Sequence, residues 1–247
     1  MIDLVLVGIG TGNPDHLTLQ AIRALNSVDL ILIPRKSGKS DLADLRRAIC
    51  AQVVANAAVE LAEFDMPVRD AAVPEYLDRV NGWHDAIARV WSRTIGGHPG
   101  AQRVALLVWG DPSLYDSTLR IAARLNPAPR ISVIPGITSL QALTAGHAIP
   151  VNGLGAAFQV TTGRQLRDHG WPVGVETVAV MLDGECSFMT LPPEGVFIWW
   201  SAYAGMPEEI RMSGALAEVG PRIVTVRAEA RARHGWIMDI YLMRREV

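Results

Sequence analysis

Cysteine and lysine are scarce in this chain of 247 residues, and long apolar runs are absent. The two cysteines, Cys50 and Cys186, are far apart and belong to no Cys-x-x-Cys pair, and the six histidines show no His-x-x-x-His spacing. These gaps argue against a disulfide framework and against a bound metal. The cysteine usage suits a reducing cytoplasm, and no run approaches the roughly 18 apolar residues of a membrane-spanning helix, so we expect a cytoplasmic protein without membrane contact.

A surplus of either charge is also missing. Lysine and arginine together number 23 against 25 acidic residues, for a net charge of −2. Without a basic surplus the chain does not fit a general nucleic-acid-binding protein, and with 49% hydrophobic residues it does not fit a disordered one. Only Lys36 and Lys39 are lysines, and both lie in the segment Pro34–Ser40, which predicts a polar loop.

The order of apolar segments predicts two α/β domains. Up to about residue 148, continuous apolar runs alternate with amphipathic ones, as they do in parallel sheets buried on both faces. Five runs are strand candidates there: Ile2–Val7, Leu30–Ile33, Val59–Phe64, Val104–Trp109 and Ile131–Ile134. We therefore expect residues 1–148 to form a domain with a mostly parallel five-stranded sheet.

Strand candidates dominate residues 149–247, where we expect a second domain with a mixed sheet. The candidates are Phe158–Thr162, Thr177–Leu182, Val196–Trp200, Ile223–Ala230 and Trp236–Met243. The last two are separated only by Arg231–Gly235, which predicts a hairpin between them.

A glycine-rich loop, Gly8–Asp15, follows the first strand candidate. Glycines let a backbone turn tightly and approach a ligand closely. The spacing departs from a dinucleotide-binding loop, because the third glycine comes one position early and Pro14 interrupts the entry into the helix. A phosphate-binding Gly-Lys-Ser/Thr is absent as well. On spacing alone, the segment is either a ligand loop of another kind or a plain turn.

Two further loops also follow strand candidates. In Trp109–Tyr115, Asp111 before Pro112 fits the cap of a following helix, but a cap does not explain Gly110. In Pro135–Ser139, Thr138 or Ser139 would cap a helix running to about His147. Ligands of open α/β sheets bind beyond the carboxyl ends of the strands, so we expect all three loops to meet at one ligand site.

In this order the three loops resemble those of the tetrapyrrole (class III) S-adenosylmethionine-dependent methyltransferases. Other stretches extend the resemblance over nearly the whole chain: Lys39–Arg47, His147–Asn152, Thr161–Leu166, Met181–Phe188 and Trp200–Gly205. These stretches are similar to members of the family that act on a precursor of the corrin ring.

The resemblance implies a homodimer of two-domain chains, with S-adenosylmethionine and the substrate in a cleft between the domains. The implied cofactor contacts are Gly10, Pro14, Trp109, Gly110, Asp111, Leu114, Tyr115, Thr138, Ser139, Met181, Leu182, Ala202, Tyr203 and Ala204. The sequence departs from the family pattern at Asn13, where aspartate is usual, at Met181–Asp183, where Tyr-Met-Gly is usual, and at Ser201, where glycine is usual.

The implied reaction is methylation of carbon 1 of precorrin-5 with loss of acetate, which gives precorrin-6A. Loss of an acetyl group requires water to attack a carbonyl, and a positioned base would assist it. Candidate bases are Asp111, His147, Asp183 and Glu185, with Tyr115 as a proton donor. Each has a structural alternative: Asp111 as a cap, His147 as a surface residue at a helix end, and the other two carboxylates as turn residues.

The substrate carries many carboxylates, for which arginine and lysine are the natural partners. Lys36, Arg35 and Arg164 are the candidates, although a solvated surface position is the simpler interpretation of any one arginine. Trp83 and Trp91, two helical turns apart, favour core or dimer packing over a ligand site.

Three other functions remain open. A methyltransferase of the same superfamily would act on a different precorrin, an rRNA ribose or a diphthamide precursor. A nicotinamide-dependent oxidoreductase would need an acidic residue after the second strand, where Pro34-Arg35-Lys36 stands instead. A non-catalytic nucleotide-binding module would bind the cofactor without turnover.

Overall fold

The computed structural model describes residues 2–36 and 40–245, so Lys39 lies outside the described part. The chain divides into two compact units, Met1–Thr138 and Ser139–Val247. This division falls ten residues before the boundary expected from the sequence. The cause is the helix Ser139–His147, which buries Leu140 and Leu143 in the core of the second unit.

The first unit alternates strands and helices around a parallel sheet. Its elements are β1 (Asp3–Gly8), α1 (Leu19–Leu25), β2 (Leu30–Arg35), α2 (Ser40–Val53), β3 (Glu60–Asp65), α3 (Tyr76–Gly96), β4 (Arg103–Val108), α4 (Thr118–Ala122) and β5 (Arg130–Ile134). The strand order is β3-β2-β4-β1-β5, and every neighbouring pair is parallel. The predicted α/β fold with a five-stranded parallel sheet is confirmed.

Both faces of this sheet are buried, which explains the continuous apolar runs. In β1, Val5 and Val7 pack in the core that includes α1 and α2, whereas Leu4 and Leu6 pack in the core that includes α3 and α4. None of these four side chains is more than 1% exposed. A strand with alternating polar residues could not occupy this position.

Strand β2 extends beyond its predicted end at Ile33. Pro34 and Arg35, expected in a loop, pair with Phe64 and Asp65 of β3. On its other side, the pairing of β2 with β4 already ends at Leu32. Pro34 therefore costs no ladder hydrogen bond toward β4, and a proline is tolerated at such an edge position.

The second unit is built on a mixed sheet, as predicted. Its elements are α5 (Ser139–His147), β6 (Phe158–Thr162), α6 (Gly163–His169), β7 (Thr177–Met181), β8 (Val196–Ala202), β9 (Ile210–Ala215), α7 (Leu216–His234) and β10 (Asp239–Arg245). The strand order is β6-β7-β10-β8-β9. Only β6 and β7 are parallel neighbours, and the other pairs are antiparallel.

The hairpin predicted around Arg231–Gly235 is wrong. Ile223–Ala230, expected as a strand, lies inside helix α7, and Gly235 ends this helix in the left-handed region with φ +72°. The helical spacing of its buried residues outweighs the β-branched composition of the segment. Those residues are Leu216, Val219, Gly220, Ile223, Arg227 and Ala230. In the described part of the chain, no helix combines the length and apolar character needed to cross a membrane.

Candidate functional site

The carboxyl ends of β4, β1 and β5 lie side by side, and a glycine stands at or just beyond each of them. A Cβ atom on Gly8 would lie 2.6 Å from the nitrogen of Gly136 and 2.8 Å from the carbonyl oxygen of Gly110. A Cβ atom on Gly136 would overlap the same oxygen of Gly110. Only glycine lets the three backbones approach this closely, so the loops meet at one edge of the sheet.

Backbone hydrogen bonds join the first two loops. The N–H of Gly110 donates to the carbonyl oxygen of Gly10 at 2.7 Å, and the reverse pair is 3.4 Å apart. Both glycines have positive φ, +73° at Gly10 and +62° at Gly110. The glycines of this site therefore serve the backbone geometry of the loops as well as their close approach.

The carboxylate of Asp111 connects the second loop to the third. One oxygen, Oδ2, accepts a hydrogen bond from the N–H of Gly136 at 2.9 Å. The other, Oδ1, accepts from the backbone N–H of Ser113 at 2.8 Å and from its hydroxyl at 2.5 Å. Helix α4 begins only at Thr118, so Asp111 caps a turn and not the helix expected from the Asp-Pro pair.

These hydrogen bonds also set the charge of Asp111. Burial opposes ionisation, but the hydroxyl of Ser113 and the N–H groups of Gly136 and Ser113 outweigh it and hold the pKa of Asp111 below its ordinary value. A carboxylate with a lowered pKa and three donors is a weak proton acceptor. The geometry therefore favours a positioning role for Asp111 over a role as base.

The first loop forms a short 3₁₀ helix at Pro14–His16. The side chain of Asn13 accepts a hydrogen bond from the N–H of Asp15 at 2.9 Å. Asn13 therefore caps this helix in the way that the more usual aspartate would. Within the same loop, the hydroxyl of Thr11 lies 3.0 Å from Nδ1 of His16. The departure at Asn13 leaves the loop geometry intact.

The remaining predicted residues of the first unit surround this edge. Trp109 and Leu114 are half-buried, as is Thr138, while Tyr115 is exposed. A Cβ atom on Gly110 would lie 3.6 Å from Cα of Thr138, which places the second and third loops in contact. Ser139 is the first residue of α5.

The predicted residues of the second unit lie at the carboxyl ends of β7 and β8. Both strands run antiparallel to β10, so these ends flank the beginning of β10. Met181 is the last residue of β7 and Leu182 follows it, while Ala202 ends β8 and pairs with Asp239. The next residues of that chain segment, Tyr203 and Ala204, are buried.

Left-handed backbone is concentrated in the predicted cofactor loops. Five non-glycine residues of the described chain have positive φ, and three of them are Tyr115 at +49°, Leu182 at +54° and Tyr203 at +52°. Tyr203 is held there by its hydroxyl, which donates to the carbonyl oxygen of Trp236 at 2.7 Å. Strain of this kind is retained where the surroundings fix it, and it clusters at binding sites.

Asp183 is buried and fully engaged. Its Oδ2 accepts from the hydroxyl of Tyr241 and from the N–H of Ser187, both at 2.6 Å. Its Oδ1 accepts from the hydroxyl of Ser187 at 2.9 Å and from the N–H of Glu185 at 3.0 Å. Burial, followed by the charge of Asp183, raises the pKa of Tyr241. Asp183 therefore anchors the loop after β7, and the exposed Glu185 forms an ion pair with Arg167.

His147 differs from the two aspartates. Its Nε2 lies 3.2 Å from both the carbonyl oxygen of Trp200 and the hydroxyl of Ser201. Burial lowers the pKa of His147, so the neutral ring is favoured at neutral pH. Ser201, which replaces the usual glycine of the family, thus contacts a candidate base.

The predicted substrate cations have different surroundings. Arg35 forms ion pairs with Asp65 at 3.0 Å and Glu63 at 3.4 Å, so carboxylates of the neighbouring strand already surround it. Lys36 and Arg164 are exposed, the latter near the start of α6. Arg35 is therefore a weaker candidate than the sequence indicated.

Arg46, which is not among the residues predicted from the sequence, is only 8% exposed. Its Nε donates to the carbonyl oxygen of Leu107 at 3.3 Å and its Nη1 to that of Leu42 at 3.1 Å, while the guanidinium lies 4.8 Å from the ring centre of Trp109. Burial lowers the pKa of Arg46 to about 10. The helical spacing of the sequence does indicate that Arg46 is buried, because it falls between Leu42 and Ile49 on the apolar face of α2.

Comparison with known proteins identifies the family. The sequence model of the Tetrapyrrole (Corrin/Porphyrin) Methylases matches residues 3–220. The chain belongs to the tetrapyrrole methylases. One relative, precorrin-6A synthase [deacetylating] of Sinorhizobium sp, is 46% identical over 98% of this chain and 95% of its own length. The precorrin-2 C(20)-methyltransferase of Sinorhizobium sp is 30% identical over 60% of the chain and 59% of its own length.

Solved structures of tetrapyrrole methylases share this fold. A cobalamin-synthesis-related protein (CobF) from Corynebacterium diphtheriae has a TM-score of 0.83 at 35% identity, and the match covers 99% of both chains. Uroporphyrin-III C-methyltransferase from Thermus thermophilus, solved with S-adenosylhomocysteine, has a TM-score of 0.60 at 21% identity over 98% of this chain and 97% of its own. The resemblance drawn from the three loops is confirmed.

We expect Gly136→Ala to lower the free energy of unfolding by roughly 1–3 kcal/mol, because the new methyl group would overlap the backbone of Gly110. Gly100→Ala is the matched control, since a Cβ atom there meets nothing within 4 Å, and it should change stability by less than about 0.5 kcal/mol. Chemical denaturation measures both. Equal stability of the two variants would contradict the close packing of the three loops.

Proposed function

We propose that this tetrapyrrole methylase is an S-adenosylmethionine-dependent C-methyltransferase of cobalamin biosynthesis. It methylates carbon 1 of precorrin-5 and releases the acetyl group as acetate, which gives precorrin-6A. The observation that carries the proposal is the 46% identity to precorrin-6A synthase over nearly the full length of both chains. Activity on a different precorrin is less favoured, because the precorrin-2 methyltransferase match covers only 60% of the chain.

The residues at the edge of the first sheet fit S-adenosylmethionine. Glycines at three adjacent strand ends carry no side chains there, so the adenosine and amino-acid parts of the molecule can approach the backbone closely. Gly10, Pro14, Gly110, Leu114 and Thr138 would hold it there, and the family resemblance adds the loops after β7 and β8. When bound, the cofactor supplies an electrophilic methyl group.

The chain's own contribution to methyl transfer is positioning. Attack on a sulfonium methyl group needs an in-line approach, and holding both reactants in that geometry is worth a large part of the barrier. Asp111 serves this end by fixing the second loop to the third through Gly136. The described residues contain no group of three or more potential metal ligands, and the proposal uses none.

Release of acetate needs a proton acceptor for water, and the geometry favours His147. Nε2, close to the carbonyl oxygen of Trp200, would carry the proton and donate it there, which leaves Nδ1 as the acceptor. The carboxylates of Asp111 and Asp183 already accept several hydrogen bonds each. Lys36 and Arg164 remain the proposed partners of substrate carboxylates.

The resemblance also implies a homodimer in the cytoplasm, and we include both in the proposal. Light scattering of the purified protein should give twice the chain mass of 26.8 kDa. A monomer at micromolar concentration would contradict the dimer and leave the reaction assignment standing.

Incubation with precorrin-5 and methyl-labelled S-adenosylmethionine tests the assignment. We expect one acetate released for each label transferred, because both events occur at the same ring carbon. Label transfer without acetate would move the assignment to a neighbouring precorrin. Cofactor binding with no transfer to any precorrin would support a non-catalytic module instead.

We expect His147→Gln to slow acetate release by about 100-fold, the usual contribution of a general base. In the wild type, release should fall as the pH drops through the pKa of His147, which burial places below 6.5, because the protonated ring cannot accept a proton. His98→Gln, at a partly exposed histidine paired with Glu60, is the control and should leave the rate unchanged. Unchanged release in His147→Gln would show that water needs no side-chain base.

A further inference from the structure

A cavity of about 250 Å³ lies within the first unit, beyond the carboxyl ends of β2, β3 and β4. Most of its wall is apolar and includes Phe64, Met66, Trp83, Ile87 and Trp91. Trp109, Pro34 and Lys36 also line it. The glycines of the convergent loops do not, but Trp109 is the neighbour of Gly110, so the cavity adjoins the edge proposed for the cofactor at this residue.

The size of the cavity restricts its occupant. It exceeds the ~30 Å³ of one water several times over, yet falls short of the roughly 300–1,000 Å³ of pockets that enclose a drug-sized ligand. A whole tetrapyrrole does not fit. One short side chain of a tetrapyrrole fits, and so does a small molecule of the same size as that side chain.

Arg46 is the buried cation of this cavity. More than nine-tenths of it is buried, and two of its three guanidinium nitrogens donate to backbone carbonyl oxygens. Within the described residues, Nη2 has no hydrogen-bond partner and no carboxylate lies within ion-pair distance of the guanidinium. A buried charge without a counter-ion is costly, and a bound anion would lower that cost.

Two indole N–H groups beside the cavity also lack acceptors. Trp91 and Trp109 line the cavity, and Nε1 of each is buried without a hydrogen-bond partner in the described structure. A buried donor left unsatisfied costs about 1–3 kcal/mol. Because both nitrogens have almost no accessible surface, they do not face the open part of the cavity, and Arg46 is left as the group that would bind an anion there.

The other charged groups of the cavity do not neutralise Arg46. Lys36 adds a second positive charge, and it is exposed. Asp116 is the one carboxylate among the described lining residues, and its Oδ1 accepts from the N–H of Thr118 at 2.6 Å. Its charge acts on Arg46 from beyond ion-pair distance. The balance of charge in the described lining is positive.

We propose that this cavity binds a carboxylate on a short aliphatic stem, with Arg46 as its partner and the aromatic wall around the stem. The cation matches the carboxylate, and the apolar wall matches methylene or methyl groups. The identity of this carboxylate rests on the proposed function. It is either a carboxylate side chain of the tetrapyrrole or the released acetate.

Titration with sodium acetate and sodium propionate tests the cavity independently of catalysis. Saturation-transfer NMR on the wild type should show binding in the millimolar range at constant ionic strength, with acetamide, the neutral analogue, bound at least tenfold more weakly. Arg46→Met should weaken acetate binding at least tenfold, because a hydrogen bond to a charged group is lost. Arg47→Met is the matched control, since Arg47 is the next residue of α2 and pairs with Asp44 and Glu63.

A second measurement needs no variant. Each of the seven tryptophans has one indole N–H, and acetate should shift the NMR signals of Trp91 and Trp109 in the wild type. No binding of either anion up to about 0.1 M, or equal binding by acetamide, would overturn the proposal. So would acetate binding that is unchanged in a folded Arg46→Met protein.

Kinetics with precorrin-5 separate the two sources. A raised KM with unchanged kcat in Arg46→Met identifies a substrate side chain as the occupant. An unchanged KM with loss of inhibition by acetate identifies the product. If neither changes, the cavity has no part in the reaction and the proposed source is overturned. Failure of the wild type to methylate precorrin-5 would defeat the proposed function but leave the acetate titration valid.

Discussion

The close approach of three backbones at Gly8, Gly110 and Gly136 is the constraint on which the candidate site depends. Parallel strands β4, β1 and β5 bring their carboxyl ends together, but side chains at these positions would push the loops apart. Without Cβ atoms, Gly110 can bond to Gly10 and Asp111 can reach Gly136. The resulting edge is bordered by backbone and not by side chains of these residues, which lets a ligand approach the loops closely.

The second unit fixes its loops by a different means, through buried polar side chains. Asp183 accepts four hydrogen bonds, including one from Tyr241 of β10. Arg227 of α7 pairs with Asp239 at 2.8 Å and donates to the carbonyl oxygen of Asp183 at 2.9 Å. Trp200 donates to the same Asp239 at 3.0 Å. Removing one partner from such a network would leave a buried charge uncompensated, so these residues hold the loops after β7 and β8 in place.

The pattern of apolar residues predicted the parts of the fold that depend on residues close together in the chain. Apolar runs located the five strands of the first sheet, because both faces of that sheet are buried. Strand β9, Ile210–Ala215, was missed because it is an edge strand of exposed and half-buried residues with a glycine at position 214. The meeting of the three loops followed from the parallel-strand rule. The sequence did not predict two hydrogen bonds that arise only in the folded chain. One joins Asp111 to a residue 25 positions away, and the other joins Asp183 to a residue 58 positions away.

The first unit thus has two features at the same end of its sheet. One is the glycine-lined edge at β4, β1 and β5 that is proposed for the cofactor, and the other is the cavity with Arg46 beyond the ends of β2, β3 and β4. The central claim is that the glycine-lined edge binds S-adenosylmethionine. A crystal structure of the protein with S-adenosylhomocysteine tests it most directly. We expect a ligand in contact with the loops that follow β4 and β5, at Gly110 and Thr138. A ligand bound elsewhere would contradict the claim, and so would an edge filled by side chains.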